Sequence, residues 1–174
     1  MNRYRRFFAP EYLYESKKIW LYRNKILNSS NKLLNKIRFI KLFRIMKRTH
    51  CLIPINENIN EFTTPHGLYD IFISFGAKVG KDCVIFNGVT IGSNNLKDSK
   101  GFGAPTIGNN VYIGTGAKII GNVKIGNNVR IGANCIVTKD VKDNSTVVLQ
   151  ECRIISHKKK RNNKYLSWDE RNND

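Results

Sequence analysis

Residues 107–142 read IGNNVY IGTGAK IIGNVK IGNNVR IGANCI VTKDVK. Each six opens with Ile or Val, and its fifth residue is small or aliphatic: Val111, Ala117, Val123, Val129, Cys135 and Val141. The pattern also runs from Ile73 as ISFGAK, VGKDCV and IFNGVT, reaching IG at Ile91. All 13 glycines lie between positions 67 and 132. A period of six fits neither strand alternation nor the 3.6-residue helical turn. Recurrent Gly and Asn would also break a helix. A short extended run followed by a bend fits, with Ile/Val and fifth-position side chains inward and Gly or Asn at the corners. Three sixes close a triangular coil, and successive coils pair in parallel at about 4.8 Å.

The phase reaches back to Ile55 and Ile59 in INENIN, so residues 55–91 predict two coils and 107–142 two more. Four coils make a prism on the order of 20 Å tall. Each inward Ile or Val contributes about 1.5–3 kcal/mol by burial. Cys83 and Cys135 occupy fifth positions and read as core thiols. Between the two regular stretches, SNNLKDSKGFGAP (93–105) shifts the phase and reads as a projecting loop. The predicted domains are a basic helical segment, 1–50, the β-helix, 51–150, and a basic tail, 151–174.

The ends of so short a stack need covering. Residues 11–48 contain no Gly or Pro and read as helices broken at Ser29-Ser30. Leu33, Leu34, Ile37, Ile40, Leu42, Phe43 and Met46 form an apolar stripe, expected to dock on the β-helix or on a neighbouring protomer. The chain of 174 residues carries 30 Lys and Arg against 13 Asp and Glu, a net +17. The excess is concentrated: residues 1–50 hold 14 basic and 2 acidic residues, whereas 51–150 hold 9 and 7. An anionic partner is therefore expected at the front end, and an anionic membrane surface would suit it. No nucleic-acid recognition motif is present. No apolar run of about 18 residues exists for a spanning helix, and the first residues lack the features of a signal peptide. Four cysteines without CxxC spacing fit a reducing cytoplasm.

Three histidines are available: His50, His66 and His157. His50 and His157 sit in basic segments and read as surface residues. His66, in TTPHGLYD, falls where the hexad pattern degenerates. An imidazole can accept a proton at neutral pH and so serve as a general base. With one histidine inside the repeat, a three-histidine zinc site fails, and no metal is expected.

The pattern [ILV]-G-x-x-[AVC]-x resembles that of the hexapeptide-repeat acyltransferases. HGLYDIFISFGAKVGKDCVIFNGVTIGS followed by GAPTIGNNVYIGTGAKIIGNVKIG is most similar to the serine acetyltransferases and their sugar-modifying relatives. The resemblance implies a left-handed parallel β-helix, a homotrimer with sites between subunits, and acetyl-CoA as acyl donor. It implies His66 as catalytic base and loop 93–105 as a wall of the neighbouring subunit's acceptor pocket. Through IGTG, IGAN, VTKDV and ECRII it implies Thr115 and Ala133 along the pantetheine, Thr138 and Lys139 near the nucleotide, and Arg153 near a phosphate.

The chain also departs from serine acetyltransferases. Pro65 stands where they carry Asp before the histidine, Cys51 where an orienting carboxylate lies upstream, and Ala104 where a second histidine precedes the Pro after the loop. Asp70 is taken as the carboxylate accompanying His66, with Glu57 and Glu61 also near in sequence. A sugar hydroxyl makes no demand for acids that bind an ammonium. The acceptor expected from sequence is therefore a sugar of a surface polysaccharide or lipopolysaccharide. L-Serine and an amino-sugar nitrogen are the alternatives, and a catalytically idle scaffold ranks last.

Overall fold

A computed structural model describes residues 5–150. Arg153, Cys152, His157 and the basic tail lie outside the described residues. Two helices precede eleven short strands. Helix α1 spans Arg5–Leu27 and α2 spans Lys32–Arg48. The strands are β1 (Phe72–Ile73), β2 (Lys78–Val79), β3 (Val84–Ile85), β4 (Thr90–Gly92), β5 (Thr106–Ile107), β6 (Tyr112–Ile113), β7 (Lys118–Ile120), β8 (Lys124–Ile125), β9 (Arg130–Ile131), β10 (Ile136–Val137) and β11 (Thr146–Val147).

Every strand pairing is parallel, and the strands form three sheets, ordered β1-β4-β7-β10, β2-β5-β8 and β11-β9-β6-β3. Each sheet is one face of a prism, because each strand carries only its central Ile or Val inward before the chain turns. In the regular coils the register advances by 18: Ile73 pairs with Ile91, and Ile113 with Ile131. The first and fifth positions of the hexads are buried, Cys83 and Cys135 among them, except for the half-buried Val141 in the last coil. Two of the corners hold a residue in the left-handed region, as at Asn110, Asn128 and Asn144 (φ 53, 57 and 57). Asparagine tolerates this conformation. The Asn110 amide donates to Asn128 Oδ1 (2.9 Å) and the Asn128 amide to Asn144 Oδ1 (3.0 Å), forming a ladder up the corner.

The count and phase of coils differ from the sequence reading. With the isolated bridges at Leu52, Ile59, Thr63 and Val141, each face has five rungs, not four coils in all. The first rung is built on Ile53, Ile59 and Thr64 rather than on a phase beginning at Ile55. Leu52 pairs with Phe72, Ile59 with Val79 and Thr63 with Val84. Ile53 and Ile59 are buried, whereas Ile55 is only half-buried. The first coil does not keep its length, since its partners lie 20 or 21 positions ahead rather than 18. The last coil is short, because Ile125 meets Val141 only 16 positions on.

Loop 93–105 enters the third coil without disturbing the stack. Ile91 pairs with Ile119, 28 positions ahead, in the same inward register. The loop closes on itself through mutual backbone hydrogen bonds between Asn94 and Gly103 (2.8 and 2.9 Å).

The helices form a hairpin over the first coil. Ile19, Trp20 and Arg23 of α1 are buried at helical spacing, and the Trp20 ring meets Phe62 edge-on at 4.9 Å. The Arg23 guanidinium donates to the carbonyls of Pro54 (3.1 Å), Asn56 and Ile59 (2.5 Å), groups at the base of the stack. Burial lowers the Arg23 pKa from its ordinary value, against a smaller opposing effect of Glu61. The α2 stripe differs from expectation. Leu42 and Ile45 are buried and Met46 half-buried, but Leu33, Leu34, Ile37, Ile40 and Phe43 face outward. No helix of the described residues is long and apolar enough to cross a membrane.

Candidate active site

Between Ile85 and Val89 the chain rounds a corner in three residues, Phe86-Asn87-Gly88. The corresponding corner of the first coil runs from Thr64 to Ile71 and holds three residues more. Thr64, Leu68 and Ile71 are all buried, so the surplus is forced outward as a bulge at Pro65-His66-Gly67. Gly67 adopts φ 80, and its N–H donates to the Thr64 carbonyl at 3.1 Å. A residue with a Cβ would be strained at that φ. The bulge is anchored from below, because the Ser16 hydroxyl of α1 and the Thr64 hydroxyl lie 3.0 Å apart in the interior.

His66 is exposed, with its ring edge-on to Phe86 at 5.1 Å and 81°. Phe86 in turn packs on Tyr112 at 5.0 Å. These aromatic contacts limit where the imidazole can swing while leaving its nitrogens accessible. Above the bulge, one edge of the prism continues through Tyr69, Asn87, Thr115 and Ala133. Gly88 N–H donates to Tyr69 O (3.0 Å), Gly116 N–H to Asn87 O (3.0 Å), and Asn134 N–H to Thr115 O (2.8 Å). The Thr115 hydroxyl contacts Asn87 Oδ1 at 3.3 Å. By the rung spacing, Thr115 lies about 10 Å and Ala133 about 14 Å above the level of His66. The sequence-predicted base and the two groove residues therefore share one edge.

The other predicted residues are elsewhere. Thr138 and Lys139 are exposed at the far side of β10, at most about 17 and 20 Å from Ala133 at the rise of a strand. Asp70, expected beside His66 in the chemistry, is placed next to His50, with Asp70 Oδ1 3.7 Å from His50 Nδ1. Cys51 is buried and contacts the Thr49 hydroxyl through sulfur at 3.1 Å. Phe86 and Tyr112 were missed from sequence. The signal was present: the position after the inward Ile is Gly at 92, 108, 114, 126 and 132, but Phe at 86.

A groove of about 1030 Å³ lies at the opposite edge of the same face. It runs between Leu52, Phe72 and Phe75 of the lower rungs and Phe102, Gly103 and Ala104 of the loop. Its described lining contains no charged side chain. Among the described residues, no group of three or more His, Cys, Asp or Glu side chains could hold a metal ion.

Residues 104–139 match the family described as bacterial transferase hexapeptide (six repeats). These residues carry the hexapeptide repeat of that transferase family. The chain's β-helix is left-handed, as in the solved structures it matches. The chain is 44% identical over 90 residues to serine acetyltransferase of Synechococcus elongatus, covering 52% of this chain and 36% of the relative. It is 36% identical over 106 residues to that of Bacillus pumilus, covering 61% of this chain and 48% of the relative. It thus spans between a third and a half of these relatives. Among solved structures, serine acetyltransferase isoform 3 of Entamoeba histolytica, in complex with cysteine, has a TM-score of 0.59 at 32% identity. That match covers 71% of this chain and 44% of the other. These matches overturn the expected sugar acceptor: the relatives are serine acetyltransferases, that of Synechocystis included, and so is the solved structure from Entamoeba histolytica.

Proposed function

We propose that this chain transfers the acetyl group of acetyl-CoA to the hydroxyl of L-serine. The observation that carries the reading is the match of 90 residues of this chain to a serine acetyltransferase, at 44% identity. His66 is the base. It takes the hydroxyl proton as the serine oxygen adds to the thioester carbonyl. The tetrahedral adduct then expels the CoA thiolate, which recovers that proton, leaving O-acetylserine and free CoA. No covalent intermediate on the protein is needed. The bulge that lifts His66 clear of the wall, and the Phe86 ring that restrains it, support this role.

On the same reading, the pantetheine follows the edge of Thr115 and Ala133. Thr138, Lys139 and Arg153 belong to the nucleotide end. The loop groove and the His66 edge lie on opposite margins of one face, an arrangement suited to a homotrimer in which one subunit's loop covers another's His66.

The test is release of free thiol from acetyl-CoA with and without L-serine. Serine-dependent release that disappears in His66→Ala supports the proposal. Release that ignores serine, or that persists in His66→Ala, overturns it.

A further inference from the structure

Helix α2 presents a face that the fold leaves unpartnered. One side is docked through Leu42 and Ile45, with Met46 and Asn35 half-buried. On the other, Leu33, Ile37 and Ile40 follow helical spacing and are exposed, Leu33 by 70%. Phe39 and Phe43 extend the patch as a stacked, exposed pair, with ring centroids 6.3 Å apart. Lys36, Lys41, Arg44 and Lys47 are interleaved with these residues and exposed. The helix has seven basic residues and no acidic one.

The exposed area combines large aliphatic and aromatic groups with unbalanced positive charge. A second copy would bring the same seven cations against themselves. A nucleic acid would answer the charge but gives aliphatic side chains nothing to enter. A bilayer with anionic headgroups answers both: the apolar tips enter the acyl boundary while lysine and arginine stems extend to the phosphates. We infer that the outer face of α2 is a docking surface for an anionic phospholipid membrane. The helix lies in the interface plane and does not cross it. The hairpin would then hold the His66 edge near the bilayer, since α1 carries both the α2 contact and the Ser16–Thr64 link.

The experiment is co-sedimentation of the full chain with vesicles of phosphatidylcholine alone and of phosphatidylcholine mixed with phosphatidylglycerol. Binding to the mixed vesicles only, weakened by salt, is expected. At the contribution of a basic residue near such a surface, each neutralised charge lowers the partition coefficient about fivefold. The triple variant K36Q/R44Q/K47Q should then bind about a hundredfold more weakly. A second variant, L33S/I37S/I40S, keeps every charge and should also lose binding, with an unchanged circular dichroism spectrum. The proposal is overturned if neither vesicle binds, or if both bind equally. It is also overturned if the serine variant binds as well as the parent, which would mark simple adsorption of charge. Dissociation of an oligomer by the serine variant, seen in sedimentation velocity without loss of vesicle binding, would assign the face to a second copy. Retention on duplex DNA with no affinity for vesicles would assign it to nucleic acid.

Discussion

His66 is exposed, while both ends of its segment are buried. Thr64 and Leu68 enter the core, and Pro65 and Gly67 flank the imidazole. Replacing His66 by Ala removes the proposed base and its edge contact with Phe86, but no buried group. Serine-dependent thiol release should fall by about 10²–10⁴-fold, while CoA still protects the chain in a thermal shift. The buried thiols give an independent prediction. Burial raises the pKa of Cys51 and Cys83 above the ordinary value. The folded chain therefore keeps protons that the unfolded chain releases. The associated stability is complete below the ordinary thiol pKa and is lost as pH rises through the elevated one. The melting temperature should decline on the alkaline side, and a Cys83→Ala variant should decline less steeply over that window. At this scale the sequence was legible where a residue had one job. Ile73, Val79 and Ile85 announced themselves by period, and His66 by the failure of the pattern around it. Thr64 did not, because an inward threonine satisfied by Ser16 of a distant helix leaves no local mark.

At the scale of elements, the first coil and the helical hairpin depend on each other. Three carbonyls at the foot of the stack accept from Arg23, and among the described residues no strand lies below to take its place. Arg23→Met would leave them without that charged donor in the interior. The expected loss is about 3 kcal/mol, read as a drop in urea midpoint against the parent. Corners offer a second test. Gly116 has φ 71, and a Cβ there would collide with Asn134 Oδ1. Gly116→Ala should therefore cost about 1–3 kcal/mol in the same urea titration. The strands were legible because each hexad repeats the same inward pair. The first coil was misread because its sides of six, five and nine residues return nearly to phase by Ile73. The α2 stripe was read as docked because spacing reports apolarity, and apolarity does not say which half of a helix meets the core.

At the scale of the molecule, the stack is longer than its clean hexads. Coils of 20–21, 18, 28, 18 and 16 residues stay aligned because the inward positions, not the perimeters, set the register. If the loop of one subunit covers the His66 edge of another, the trimer is a condition of activity. Sedimentation velocity should give a single species of three chains. A variant lacking the loop tip, with Asn94 and Gly103 still joined, should keep that mass and its coenzyme affinity but lose serine turnover.

The 28-residue coil has a meaning for descent as well as for structure. Ile91 and Ile119 meet in register although 28 positions separate them, so loop 93–105 can lengthen, shorten or be exchanged without renegotiating any rung. On the proposed function, the acyl donor's edge and the acceptor's wall are thereby separately heritable. A lineage of such coils can try new alcohols by trading one loop while the thioester edge stays as it was.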